Sequence, residues 1–350
     1  MSDLPTNMRA LVHDNATHLT TLTTVPLPVP SASEYLLRVH ATTFTTNELL
    51  WASPNATTIP GIEFSATVVT APSPTSRFPP GSHVYARVSF PRPGAAREYT
   101  VALEEELALA PQNISKIEAA AVPLQALTAW QALFVHGGLD APLSGQQQPP
   151  ASDGEQRSPR RILVLNGGGS VGSFVIQLAA LTGSTVVTTT GAANVPLVRS
   201  LGAREVLDYR AVSLPSWAAE DESHLVDLVF DCIGGKAGAE AWAALRPGGT
   251  AISIVPAMEE IPGILQSKGM VIDIDRPSAS AEVKIREGVK GKVFIMVPHG
   301  KQLGEVTKLI EEEKCKPVVD SVYEFDEWEK ALKKSQSGHV SGKVVLKIQG

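Results

Sequence analysis

Cysteine is nearly missing from this chain: 350 residues hold two, Cys232 and Cys315. Two thiols make neither a disulfide framework nor a thiolate zinc cluster. Basic clusters are missing too. Lys and Arg number 30 against 36 Asp and Glu, a formal charge of −6, which makes nucleic acid and anionic membrane surfaces poor partners. No apolar run reaches the roughly 20 residues of a membrane helix, and the opening MSDLPTNMRA lacks the apolar centre of a secretory leader. The expectation is a cytoplasmic protein acting on a small molecule, with neither nucleic acid nor membrane as partner.

What is present is ample core, 43% hydrophobic residues over a length that suggests two domains. From Met8 to about Ala110, short β-like runs (9–12, 35–41, 65–70, 83–88) alternate with turns such as Pro60-Gly61, Pro79-Pro80-Gly81 and Pro93-Gly94. That spacing predicts a barrel-like all-β region. Helical periodicity over 117–133 carries the chain onward. Residues 144–160, SGQQQPPASDGEQRSPR, are polar and read as a loop rather than a core segment.

The most informative stretch is 161–209. A branched apolar run (162–166) is followed by Gly167, Gly169 and Gly172 in the order G-x-G-x-x-G, a helical pattern over 171–181, and a β-branched run over 186–190. Within one βαβ unit this motif has a mechanism: a tight turn at Gly167, backbone approach to a pyrophosphate at Gly169, close helix packing at Gly172, and free N–H groups at the helix start. An NAD site places Asp or Glu at the end of the second strand. Here Thr188, Thr189, Thr190 and Gly191 stand there, which favours NADP. Asn194, Arg199, Tyr209 and Arg210 are the nearby candidates for the 2′-phosphate, and Arg199 reads equally well as a solvated helix residue.

Further apolar runs at 226–231, 250–255 and 293–297 supply the strands of a doubly wound sheet. Arg246-Pro247-Gly248-Gly249 reads as a turn. The long segment 256–291 reads either as a lid or as elaborated surface. After a helix from Lys301 the chain closes strand, helix, strand.

The segments MRALVHD, IPGIEFSATVV, FPPGSHVYARV, AAAVPLQALTAWQALF, LNGGGSVGSFVIQLA, LVDLVFDCIGG, LRPGGTAISIV and SGHVSGKVVLKI occur in an order that resembles the medium-chain dehydrogenases/reductases. More narrowly, the chain is similar to the zinc-independent quinone oxidoreductase (zeta-crystallin-like) and enoyl reductase branch. The resemblance implies an α/β protein with a GroES-like β-barrel catalytic domain (1–125, completed by 301–350) and a Rossmann doubly wound parallel-sheet domain (126–300), the substrate lying between them. It implies that the turn Gly167, Gly168, Gly169, Ser170, Val171 and Gly172 holds the pyrophosphate of NADP(H). Thr189, Thr190, Gly191, Asn194 and Tyr209 would surround the 2′-phosphate, where many relatives carry a lysine in place of Asn194. Thr128, Cys232, Ile233, Gly234, Val255, Val297 and Lys343 would flank the ribose and nicotinamide.

The departures matter as much. Zinc alcohol dehydrogenases carry Cys at about Thr45 and Gly-His-Glu where this chain has Gly61-Ile62-Glu63. Without thiolate and imidazole the usual Lewis acid for alkoxide has no ligands. Glu63 reads as a buried carboxylate paired with an arginine. Trp51 reads either as a pocket wall or as core. The resulting expectation is NADPH-dependent hydride transfer to an activated C=C bond or a quinone, with Thr45 and Thr46 as donors to the developing oxyanion and His299 as the histidine placed near the nicotinamide. Alternatives are a reductase dedicated to one biosynthetic intermediate and a cofactor-binding protein without turnover. A homodimer through the sheet edge, expected at 293–297, completes the reading.

Overall fold

The computed structural model describes residues 4–51, 53–142, 159–255, 271–274, 283 and 285–349. The chain forms two compact units, Met1–Leu127 with Pro298–Gly350, and Thr128–Val297. Most of the expected polar loop at 144–160, and most of the 256–291 segment, lie outside the described residues.

The first unit is built on a seven-stranded sheet. Its order is Val319–Glu324, Lys343–Lys347, Glu34–Thr43, Glu63–Thr70, His83–Arg87 and Leu107–Leu109, with Tyr99–Leu103 also paired to Glu34–Thr43. A smaller sheet joins Thr20–Pro26, Asn7–Asp14 and Thr57–Thr58. Strand Tyr99–Leu103 alternates half-buried and buried positions, the period-two signature of a sheet with one face on a core. That core holds Leu37, Val39, Phe64, Val84, Leu107, Val344 and Leu346. The late strand Lys343–Lys347 threads between early and late elements. It is antiparallel to Glu34–Thr43 through Val345↔Thr43 and Leu346↔Thr42, and parallel to Val319–Glu324. Trp51 stands edge-on to Phe90 with ring centroids 5.6 Å apart and packs against this core.

The second unit is a doubly wound sheet in the order Glu205–Asp208, Thr185–Thr190, Arg161–Val164, Val226–Asp231, Leu245–Ser253, Lys290–Phe294 and Val271–Ile274. The first six strands are parallel and the last is antiparallel. The central strands are buried on both faces, which is why 162–164 and 228–230 read as unbroken apolar runs. The expected edge at 293–297 is corrected here: its strand, Lys290–Phe294, is covered by Val271–Ile274, which is the outermost strand on that side among the described residues. Asp273 breaks the apolar pattern of that edge strand, so sequence periodicity did not mark it. The expected turn at 246–249 lies within the strand Leu245–Ser253, where the ladder shifts register opposite Val226 and Leu228. The single helical segment expected at 117–133 is divided into Lys116–Ala120 and Pro123–Trp130, the second helix starting at a proline that has no N–H to bond. It continues as a π-helical stretch, Gln131–His136.

Candidate cofactor and active site

The glycine turn is held from below by backbone. Gly167 N–H donates to Thr189 O at 3.0 Å, and Asn166 N–H to Thr189 Oγ1 at 3.0 Å, so the ends of the first two strands fix the turn together. A Cβ on Gly172 would overlap Asn166 O and stand 2.9 Å from Gly167 Cα, leaving the helix Ser170–Leu181 no room for any other residue there. A Cβ on Gly167 would overlap the Thr188 hydroxyl. Gly168 lies against the Asn194 amide. The helix begins at Gly169 with no side-chain cap. The N–H groups of Ser170, Val171 and Gly172 therefore have no carbonyl one turn back, the arrangement that binds a phosphate.

At the far end of this cradle, Thr190 pairs with Asp208, and Gly191 follows. Arg210 stacks on Tyr209, with its guanidinium 4.4 Å from the ring centroid. A Cβ on Gly191 would be 2.7 Å from Arg210 Nη1, so the guanidinium stands directly over this glycine. The Asp208 carboxylate is engaged by Arg210 N–H at 2.9 Å. Arg199, the other cationic candidate, is exposed on the short helix Val195–Ser200.

The turn expected to flank the nicotinamide is organised by a residue the sequence reading passed over. Asp231 Oδ1 accepts from Ile233 N–H at 2.9 Å and Gly234 N–H at 2.8 Å, while Ser253 Oγ donates to Asp231 Oδ2 at 3.1 Å. Ser253 Oγ also accepts from Val255 N–H at 3.1 Å. One carboxylate thus shapes both the Cys232-Ile233-Gly234 and the Ser253–Val255 segments. An acid closing a strand just before Gly-Gly was the available signal. The Cys232 thiol donates to Leu165 O at 3.1 Å, and burial pushes it up to about 12, so it is no thiolate at neutral pH. Gln131 clamps Val297 with both ends of its amide, donating to the carbonyl at 2.8 Å and accepting from the N–H at 3.0 Å. Thr128 is buried at the start of this unit.

In the first unit the centre is a buried ion pair, Lys343 Nζ to Glu63 Oε1 at 2.8 Å, with side chains 5% and 0% exposed. Thr43 Oγ1 donates to Glu63 Oε1 at 2.6 Å, and Leu124 N–H to Oε2 at 2.8 Å. The partner expected for Glu63 was an arginine; the structure gives Lys343, because strand Lys343–Lys347 comes in beside Glu34–Thr43 from the far end of the sequence. Arg87 lies directly opposite Glu63 across the strand pair and acts on it only through its charge. Burial pulls the Arg87 guanidinium down to about 10 while Glu106, Glu48 and Glu63 oppose that shift, so it stays charged.

Lys343 Nζ also reaches Thr45 Oγ1 at 3.4 Å. Thr45 is fixed by a second buried carboxylate, Glu48, which accepts from Thr45 N–H at 2.9 Å and Gly61 N–H at 2.6 Å. Burial raises the Glu48 carboxyl above the usual range, against those two N–H groups and the Lys343 charge. Thr46 is exposed. His299 caps the helix Gly300–Glu311, its Nδ1 accepting from Gln302 N–H at 3.3 Å, which leaves the ring proton on Nε2. The structure therefore brings Thr45 and Lys343 together and gives His299 a capping contact.

Residues 201–346 match a family model described as zinc-binding dehydrogenase. A probable zinc-binding oxidoreductase, mitochondrial, from Arthroderma benhamiae is 39% identical over 356 residues, covering 99% of both chains. The chain belongs to the medium-chain dehydrogenases/reductases. Within that superfamily, the chloroplast envelope quinone oxidoreductase homolog of Arabidopsis thaliana is 31% identical over 339 residues, 92% of each chain. The fold matches that of the solved quinone oxidoreductase from Coxiella burnetii with a TM-score of 0.76 at 23% identity, covering 98% of this chain and 100% of that one.

The zinc in the family's title does not fit the residues present. Thr45 and Ile62 stand where a thiolate and an imidazole are needed, and Glu63 is already neutralised by Lys343. Among the described residues no group of three or more His, Cys, Asp or Glu could hold a metal, and no helix is long and apolar enough to cross a membrane.

Proposed function

We propose that this oxidoreductase is an NADPH-dependent, zinc-independent reductase that delivers hydride to an activated C=C bond or a quinone. The observation that carries this reading is the Lys343–Glu63 ion pair, with Lys343 reaching Thr45, the residue that stands where the resemblance puts a zinc-ligating Cys. It replaces a Lewis acid with a fixed ammonium and hydroxyl. The cradle residues fit a dinucleotide: N–H groups of 170–172 for the pyrophosphate, Arg210 on Tyr209 for the 2′-phosphate, and the Asp231-ordered turns beside the nicotinamide ribose.

The bound reduced nicotinamide would supply the hydride. The chain's own part is electrostatic. As a carbonyl or quinone oxygen gains charge, the Thr45 hydroxyl donates to it, and Lys343 keeps that hydroxyl oriented and the surroundings positive. Thr46, exposed beside it, is the second donor proposed. Glu63 holds Lys343 in place rather than reacting. Water completes the protonation of the substrate carbon or oxygen.

The test is oxidation of NADPH and NADH against a panel of ortho-quinones and α,β-unsaturated ketones with a metal chelator present. Chelator-resistant turnover preferring NADPH supports the reading; chelator-sensitive turnover, or tight NADPH binding with no turnover on any acceptor, refutes it. The cytoplasm is the proposed location, and the mitochondrial relative makes cell fractionation the check on it. Homodimerisation is proposed through the Val271–Ile274 edge, to be read by sedimentation.

A further inference from the structure

The first unit carries a cavity that the proposed reaction does not use. Its volume is about 280 Å³, and its polar lining is His40, Ser65, His83, Gln112, Ser115 and Lys116. His40 enters it by a specific device. Val39 lies opposite Ala66 and Ala41 opposite Ser65, so His40 is the extra residue of a β-bulge, the feature that re-aims a side chain out of a ladder. His40 is 6% exposed, with its Nε2 held 2.7 Å from Thr67 Oγ1. Thr67 pairs across the sheet with His83. The two imidazole centroids are 5.1 Å apart, edge to face. His83 is half-buried and makes no side-chain hydrogen bond among the described residues.

The charges around these rings have one sign. His40 feels Lys116, His83 and Arg38; His83 feels Lys116. Among the described residues no Asp or Glu lines the cavity. The carboxylates on the neighbouring elements stand behind the cavity wall and are held by it: Glu118 accepts from the Ser115 N–H and hydroxyl at 2.8 and 2.7 Å, and Glu311 accepts from Gln112 N–H at 3.1 Å. Ser65 Oγ donates to the Lys116 carbonyl at 2.5 Å, which fixes the backbone that carries the ammonium. Two imidazoles and an ammonium, from three separate elements, share one opening, and no carboxylate is among the described residues that line it.

We propose that this cavity binds a small oxyanion, a phosphate or a phosphate monoester, between His40, His83 and Lys116. Three donors on different walls suit a tetrahedral group, and the volume exceeds that of inorganic phosphate, leaving space for a short organic substituent. In the empty pocket, burial first and the positive neighbours second hold both imidazoles below the ordinary value. A bound dianion supplies the missing opposite charge. Each binding event then takes one proton from solvent onto an imidazole, with no other bond made or broken.

The experiment uses the full chain at constant ionic strength in chloride. Inorganic phosphate and glycerol 3-phosphate are titrated separately, following the histidine Cε1–H NMR signals and, by calorimetry in buffers of different ionisation enthalpy, the protons taken up. The expected result is saturable movement of two histidine signals, uptake approaching one proton, and affinity falling about tenfold per pH unit over the range in which the free imidazole is neutral and the bound one protonated, levelling off above that range. Lys116→Met and His83→Gln, both at solvent-reached positions, weaken binding at least tenfold, while Arg210→Ala leaves it unchanged. Tighter binding of the monoester assigns the spare volume to an organic group, and equal binding assigns the site to free phosphate; both support the oxyanion site. No saturable shift, a shift reproduced by chloride, or binding lost in Arg210→Ala but kept in Lys116→Met would overturn it.

Discussion

In the unit Thr128–Val297 the site is made of backbone: unpaired N–H groups at a helix start, glycines where a Cβ would strike a carbonyl, and two turns bent onto Asp231. In the other unit it is made of ionised side chains, Lys343 on Glu63 and Thr45, with Glu48 and Arg87 beside them, nearly all out of water. The first kind of site tolerates almost any side chain that leaves the main chain alone. The second depends on charge balance, because a buried ion without its partner costs far more than the pair contributes.

The sharpest way to break the comparison is Lys343→Met, which strands Glu63. A stability loss of about 3–5 kcal/mol is expected by chemical denaturation, and the double variant with Glu63→Gln should recover most of it. If the single and double variants lose the same amount, charge balance is not what holds this centre. Next comes the backbone site. Gly172→Ala pushes a methyl onto Asn166 O and should lower NADPH affinity about a hundredfold, near 2.7 kcal/mol, by fluorescence titration. An affinity within threefold of the parent chain would refute the close-approach argument.

The pH response of the charged unit is smaller. His40 sits at about 4 in the fold and at 6.5 in the unfolded chain. Its neutral form is the one the fold accepts, so stability is complete above pH 6.5 and falls as the pH drops from 6.5 towards 4, where only the unfolded chain takes the proton. The loss from this group is about 2–3 kcal/mol. His40→Gln should flatten that part of the pH–stability curve; an unchanged curve would place the acid sensitivity elsewhere. The smallest effect is at the cofactor's far end. Arg210→Ala should reduce the preference for NADPH over NADH about tenfold, roughly 1.4 kcal/mol, read from the ratio of kcat/KM values. An unaltered ratio would remove Arg210 from the 2′-phosphate.

These differences explain what was legible in the sequence. The dinucleotide unit is local: strand, turn and helix lie within about 30 residues, as such units do, and Gly167, Gly169 and Gly172 announce the geometry by their spacing, with Gly172 the one where a Cβ would strike the backbone. The branch-level departures, Thr45 and Ile62, were also readable, since a missing ligand is visible by its letter alone. The Lys343–Glu63 pair was not, because 280 residues separate its members (343 minus 63) and only the sheet order brings them together. Asp231 was missed because its work is done through backbone N–H groups, which carry no letter. Arg210 stood among several polar candidates in the sequence, and its stacking on Tyr209 over Gly191 is a contact that only the fold creates. The sheet edge was misplaced because Val271–Ile274 is four residues long, too short to announce itself by alternation.

The strand Lys343–Lys347 lies inside the first unit's sheet, between Val319–Glu324 and Glu34–Thr43, although the whole second unit precedes it in the chain. During synthesis, the nucleotide-binding unit has therefore left the ribosome entire before the barrel can seal. Until then Glu63 waits without its ammonium, and the early strands stay open at the side where the last strand docks. The order of manufacture makes the unit Thr128–Val297 the first that is able to close and the unit holding Glu63 and Lys343 the last, so its buried charges are the final part of the molecule to find their partners.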